Sequence, residues 1–200
     1  KKGIGGDESP IAHVLRAYQG NGASERARHE YALLERLYRV GYPVPQVYAL
    51  SCEESPLGKP FILMEKVEGI SMWRPLFYGK DPVVQERLLS QFCRLMITLH
   101  TLEPEAFYDV LPRGRSPQVM EVATEGLAPV WGALGSLGFG PLLKWLEERA
   151  AHLKLWKPAL VHNDFHPNNV LLRPDGSAVV IDWAHASLAD PRFDVGWTLA

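Results

Sequence analysis

Cysteine is scarce in this chain. Cys52 and Cys93 are the only two in 200 residues, and they form no paired-spacing motif. That argues against a disulfide framework and fits a reducing cytosol. An excess of one charge is missing as well. The formal net charge is -2 with histidine neutral, which leaves no general attraction for nucleic acid or anionic membranes. No basic, apolar, small-residue segment opens the chain, so no secretory signal is expected. One uncharged stretch runs from Gly126 to Leu143. It holds five glycines and two prolines, a poor composition for a membrane-spanning helix, and it reads as a buried or pocket-lining segment. Internal repeats and low-complexity tracts are absent. Lys1 stands where Met would, and Trp197-Thr198-Leu199-Ala200 has the texture of mid-helix. A chain cut at both ends is therefore the expectation.

What is present is ordinary globular material, 46% hydrophobic and 22% charged. The length suffices for one sizeable domain or two small lobes around a cleft. Ala12 to Ala17 reads as a strand. A helix opens at Ser24 or Glu25, carries Ala27, Tyr31, Leu34 and Tyr38 on one face, and stops at Gly41. Pro43 and Pro45 force an extended entry into Gln46 to Leu50. Phe61 to Lys66 reads as a buried strand between Pro60 and Gly69. From Asp81 the texture is helical. Asp81 suits the N-cap and Pro82 the first helical position, with Val84, Leu88, Phe92, Leu95 and Leu99 as the buried stripe. Further helices are expected from Ser116-Pro117 and from near Pro141 to Leu153. Short strands return at Ala159 to Val161, Val170 to Leu172 and Ala178 to Ile181. Pro174-Asp175-Gly176-Ser177 is a strong turn signal between the last two.

The chemistry concentrates in His162-Asn163-Asp164-Phe165-His166-Pro167-Asn168-Asn169 and in Ile181-Asp182-Trp183. If the hairpin turns about Asp175-Gly176, Asn169 stands across from Asp182, with β-carbons about 5 Å apart. An amide oxygen and a carboxylate side by side suit magnesium, which takes few protein oxygens plus water and phosphate oxygens. Asp164 precedes the hairpin. A carboxylate near a magnesium-phosphate site accepts a proton from an attacking hydroxyl.

His-x-Asp-x-x-x-x-Asn followed by Ile-Asp-Trp resembles the aminoglycoside phosphotransferase and choline kinase group, relatives of protein kinases. The resemblance implies Asp164 as catalytic base, Asn169 and Asp182 as metal ligands, and His162 as a loop brace. Asp190-Pro191 and Asp194 resemble the family's next acidic segment, which implies that Asp194 braces the catalytic-loop backbone. Val14-Leu15-Arg16 is similar to the strand with the phosphate-binding cation, and Glu30 to that cation's ion-pair partner. Phe61-Ile62-Leu63-Met64-Glu65, with Gly69, is similar to the strand and hinge that hold adenine. The implied contacts are the Glu65 carbonyl and the Val67 amide, with Met64 bordering the base. The family's glycine-rich loop should precede Arg16. Gly3-Ile4-Gly5-Gly6 is glycine-rich but equally fits a turn.

The implied fold is α+β and protein-kinase-like in two lobes. A small sheet-plus-helix N-lobe with an incomplete start takes residues 1–66. A mainly helical C-lobe takes 67–200. The implied cofactors are ATP and magnesium, and the implied partner is a small-molecule hydroxyl acceptor in the cytoplasm, without nucleic acid or membrane. The apolar and aromatic residues of Gln118 to Phe139 hint at an acceptor less cationic than an aminoglycoside, though core packing explains them equally. Two other readings stand beside this one. A nucleotide-binding pseudokinase fits the arginine at position 16. A metal-dependent hydrolase would gather His162, Asp164, His166 and His185 around a transition metal.

Overall fold

The computed structural model describes residues 12–52, 56–111, 135–150 and 157–199. The glycine cluster at 3–6, the helix start at Ser116-Pro117, most of the segment from Gln118 to Phe139, and Leu153 lie outside the described residues.

His13–Ala17 forms β1, Ala23–Arg39 forms α1, Val47–Ser51 forms β2 and Phe61–Glu65 forms β3. The three strands make one antiparallel sheet in the order β1-β3-β2. β3 is central and alternates, so Ile62 and Met64 turn into the core. α1 starts after Gly22, whose φ of 71° suits glycine. Glu25 in its first turn and Arg36 and Arg39 in its last complement the helix dipole. Its inward face differs from the expected stripe. Ala23, Ala27, Glu30, Leu33, Leu34 and Leu37 are buried, while Tyr38 is 49% exposed. The face is rotated toward Leu33 and Leu37, and it takes in Glu30, whose carboxylate meets Arg16 on β1 and Tyr18 just beyond it.

The remaining described part begins with β4 (Ile70–Ser71), α2 (Trp73–Tyr78) and α3 (Pro82–His100). The Asp81 side chain caps α3 by accepting from Val83 N at 2.9 Å and Val84 N at 3.4 Å. Leu88, Phe92 and Leu99 are buried along it, with Val84 and Leu95 packed at the margin of the core. Gly140–Ala150 is α4, and Ala159–Val161, Val170–Leu172, Ala178–Val180 and Ser187–Ala189 are β5 to β8. Arg192–Leu199 is α5. β6 and β7 form a hairpin whose outer edge takes β4, and β5 pairs with β8. The strands β4 and β8 and the helix α2 are too short to carry a readable period.

One core runs through the described residues. Leu34 and Ile62 under the first sheet join Phe92, Leu99, Phe165, Val180 and Trp183 further along the chain. Two close approaches fix the hairpin beneath the sheet. Val180 N donates to Pro43 O at 2.9 Å. A β-carbon at Gly69 would stand 2.4 Å from Leu172 O, so only glycine lets the strand-to-strand crossing lie flat on β6.

Candidate active site

The hairpin register comes first, because it decides where the oxygen ligands fall. Val170 opposes Val180, and Ile181 N donates to Asn169 O at 2.9 Å. Asn169 therefore faces Ile181, one residue earlier than expected from the turn. The reason lies in the turn: Asp175 accepts from Ser177 N and Oγ, Arg173 N donates to Ser177 O, and all of residues 174–177 are loop. Asp182 follows the last pair and leaves the strand by a left-handed backbone, φ 66°. Trp183 then plugs the core at 2% exposure, with Nε1 donating to Val180 O at 3.0 Å. A pinned residue on either side thus holds Asp182 at the mouth of the hairpin, its side chain 46% exposed.

Asp164 lies in the loop between β5 and β6, its side chain 25% exposed. Asn169 Nδ2 donates to Asp164 Oδ2 at 2.9 Å and to Asp164 O at 3.0 Å. With the amide nitrogen committed in this way, the amide oxygen is the end of Asn169 open to a cation. His166 Nδ1 accepts from Asn168 N at 3.2 Å, so Nε2 carries the ring proton and faces Asp164 Oδ1 at 3.3 Å. Trp197 Nε1 donates to Asp164 Oδ1 at 2.7 Å.

The loop itself is held from behind. Asp194, fully buried, accepts from Asn163 N at 2.7 Å, His162 N at 2.9 Å and the His100 ring at 2.9 Å. Those bonds let Asn163 adopt φ 63°, while its side chain donates to His185 O at 2.7 Å and Ser187 Oγ at 2.8 Å. His162 is fully buried against Phe165 and Trp183. Its Nε2 donates to Ile181 O at 3.0 Å and Nδ1 has no partner. Burial lowers the His162 pKa and keeps the ring neutral.

Across the cleft, Arg16 on β1 reaches two carboxylates. Its Nε is 3.4 Å from Glu30 and its Nη1 is 3.1 Å from Asp182. Tyr18 OH donates to Glu30 Oε2 at 2.7 Å. Burial and the Glu30 charge push the Tyr18 pKa up, so the phenol stays a donor. A cavity of about 430 Å³ opens between β1, the end of β3 and the hairpin. It takes in Arg16, Glu30, Met64, Glu65, Val67 and Asp182, with Val14, Leu34, Leu171 and Ile181 as apolar walls. The Glu65 side chain faces away from that role: it accepts from Arg173 Nη2 at 2.5 Å and Gln46 N at 3.3 Å, tying the end of β3 to the hairpin. Val67 lies beyond the strand, outside its ladder.

Of the expected site residues, Arg16, Glu30, Met64, Glu65, Val67 and Asp182 line this cavity, while Asp164 and Asn169 belong to the loop before the hairpin, and His162 and Asp194 to that loop's support. The structure gives His100 and Asn163 their supporting bonds and adds Tyr18, Arg173 and Trp197. Only their three-dimensional partners mark these residues, because polar and aromatic side chains at such positions are common on surfaces and in cores. The histidine cluster does not form. His162 is engaged with a backbone carbonyl and His185 is exposed. Among the described residues no three His, Cys, Asp or Glu side chains are grouped to hold a metal ion.

A three-stranded sheet with one helix, set over a short hairpin and a loop gripped by a buried aspartate, defines a protein-kinase-like α+β fold. The chain belongs to the phosphotransferase enzyme family, whose model matches residues 6–200. Its similarity to a putative aminoglycoside phosphotransferase from Ralstonia eutropha JMP134 has a TM-score of 0.73 at 25% identity, over 93% of this chain and 56% of that one. The GDP and kanamycin complex of an aminoglycoside phosphotransferase aligns with a TM-score of 0.69 at 19% identity, over 92% of this chain and 65% of that one. A curated relative, acyl-CoA dehydrogenase family member 10 of Mus musculus, is 28% identical over 180 residues, which is 84% of this chain and 16% of the relative. The chain therefore spans less than a fifth of that relative's length.

Proposed function

We propose that this chain transfers the terminal phosphoryl group of a nucleoside triphosphate to a hydroxyl of a small molecule. The observation that carries the reading is a pair of contacts set side by side by one hairpin: Asn169 on Asp164, and Asp182 on Arg16, with Ile181 N bonded to Asn169 O between them. In this reading residues 1–66 and 67–200 are the two lobes, and the nucleotide lies in the cavity between them. Arg16 contacts phosphate oxygens, Glu30 and Tyr18 aim it, Met64 borders the base, and the Glu65 carbonyl and Val67 amide receive its polar edge. Two hard oxygens, from Asn169 and Asp182, fit magnesium, which takes its remaining ligands from water and phosphate. When bound, that ion supplies neutralisation of phosphate charge. Asp164 accepts the proton of the acceptor hydroxyl, and His162 and Asp194 keep its loop in register. The GDP complex of a structural relative supports nucleotide use and leaves ATP and GTP both in play.

The test is transfer from labelled ATP or GTP with magnesium to a panel of kanamycin, other aminoglycosides, hydroxylated acyl-CoA thioesters and simple alcohols. Asp164→Ala should abolish transfer while nucleotide binding persists. Asp182→Ala should lose the magnesium-dependent part of nucleotide binding, read as a thermal shift. Normal transfer by either variant sinks the assignment. Nucleotide binding without transfer to any acceptor by the parent chain would favour a pseudokinase.

A further inference from the structure

α5 grips the loop around Asp164 from three sides. Asp194 holds the backbone amides of His162 and Asn163, the two residues before it. Thr198 Oγ1 donates to Phe165 O at 2.5 Å, the carbonyl just after it. Between them in chain order, Trp197 reaches the carboxylate itself, with Nε1 2.7 Å from Oδ1. Positions 194, 197 and 198 share one helix face, as three- and four-residue spacings require. The first two contacts fix the backbone and leave the carboxylate free to turn about its own side-chain torsions. Trp197 restrains one oxygen, at a shorter distance than the 3.3 Å of His166 Nε2 to the same atom, and Asn169 Nδ2 restrains the other.

The indole differs from a packing residue. It is 56% exposed, so burial does not account for its place, and its one polar atom is aimed at the reacting group. An indole nitrogen donates only and carries no charge. It therefore orients the carboxylate without competing for the substrate proton. We infer that Trp197 is a positioning residue that sets the rotamer of Asp164 for proton abstraction, a role that rests on the reading of Asp164 as the base. Misplacement of a base by a fraction of an ångström lowers turnover without weakening binding of the nucleotide.

Trp197→Phe keeps the ring and removes the donor. The assay is phosphate release from ATP or GTP with magnesium and water as acceptor, alongside proton–nitrogen spectra of the tryptophan side chains. Trp197→Phe should lower kcat by about tenfold while nucleotide KM and melting temperature stay put. It should also delete one indole signal, and Asp164→Asn should move that same signal. Unchanged kcat in Trp197→Phe, or an indole signal indifferent to Asp164→Asn, overturns the inference. If the parent chain releases no phosphate, the spectra decide alone. Full activity of Asp164→Ala would instead remove the base assignment, a failure separate from that of Trp197.

Discussion

Arg16 stands between two acids, 3.4 Å from Glu30 by its Nε and 3.1 Å from Asp182 by its Nη1. One side chain on β1 therefore links α1 to the end of the hairpin. A lysine ammonium is a single point and cannot hold both contacts with the same geometry. Arg16→Lys should raise nucleotide KM by about tenfold with a smaller effect on kcat. Steady-state kinetics with ATP and GTP would check this, and an unchanged KM would show that the fork is not needed.

Glu30 carries a pH signature. Burial raises its pKa above the ordinary glutamate value, partly countered by Arg16 and the Tyr18 hydroxyl. A raised folded pKa means the folded chain holds the proton more tightly than the unfolded one. Its stabilising contribution is whole below the ordinary value and is lost as pH rises through the folded pKa. Glu30→Gln removes this titration and keeps an acceptor for Tyr18. Relative to the parent, the variant should gain stability on going from about pH 4 to pH 7. Melting curves across that range would read it, and a gain in the opposite direction would contradict the assignment.

Asp194 accepts three hydrogen bonds at zero exposure. Asp194→Ala strands the buried amide of His162, the partly buried amide of Asn163 and the partly buried His100 ring, at a cost of about 3 kcal/mol. Denaturant unfolding gives the number directly. A loss near zero would mean that water replaces the carboxylate.

Gly69→Ala should cost about 2 kcal/mol, because the new methyl would meet a backbone oxygen rather than a side chain. That oxygen belongs to Leu172 and would lie 2.4 Å away. The variant should also loosen the pairing of Ile70 with Leu172. Hydrogen exchange at β4 and β6 reports this, and unaltered protection there would refute it.

The long elements were legible because period and punctuation agreed. Asp81-Pro82 announced α3, and Pro174 to Ser177 announced the hairpin. The spacing from Asp164 to Asn169 and the Ile-Asp-Trp triplet carried most of the site. The inward face of α1 turns toward Leu33 and Leu37, because stripes through Tyr31 and Tyr38 and through Leu33 and Leu37 are both apolar at helical spacing and periodicity does not choose between them. The buried Glu30 depends on Arg16 and Tyr18. The register differs by one residue because the turn closes with Arg173 N on Ser177 O, which sets Asn169 against Ile181. Trp197 was read only as part of a helix, since its hydrogen bond to Asp164 spans 33 positions.

Asn163 and Asp182 have backbones in the left-handed region, at φ 63° and 66°. Asparagine and aspartate are the side-chain-bearing residues that tolerate this region best, and glycine is the default there. At position 182 the backbone therefore screens substitutions before chemistry does. Of the residues it admits readily, glycine brings no ligand and asparagine brings no charge. A saturation library at 182 should return a very short alphabet among folded clones, and within that alphabet aspartate alone supplies an anionic oxygen.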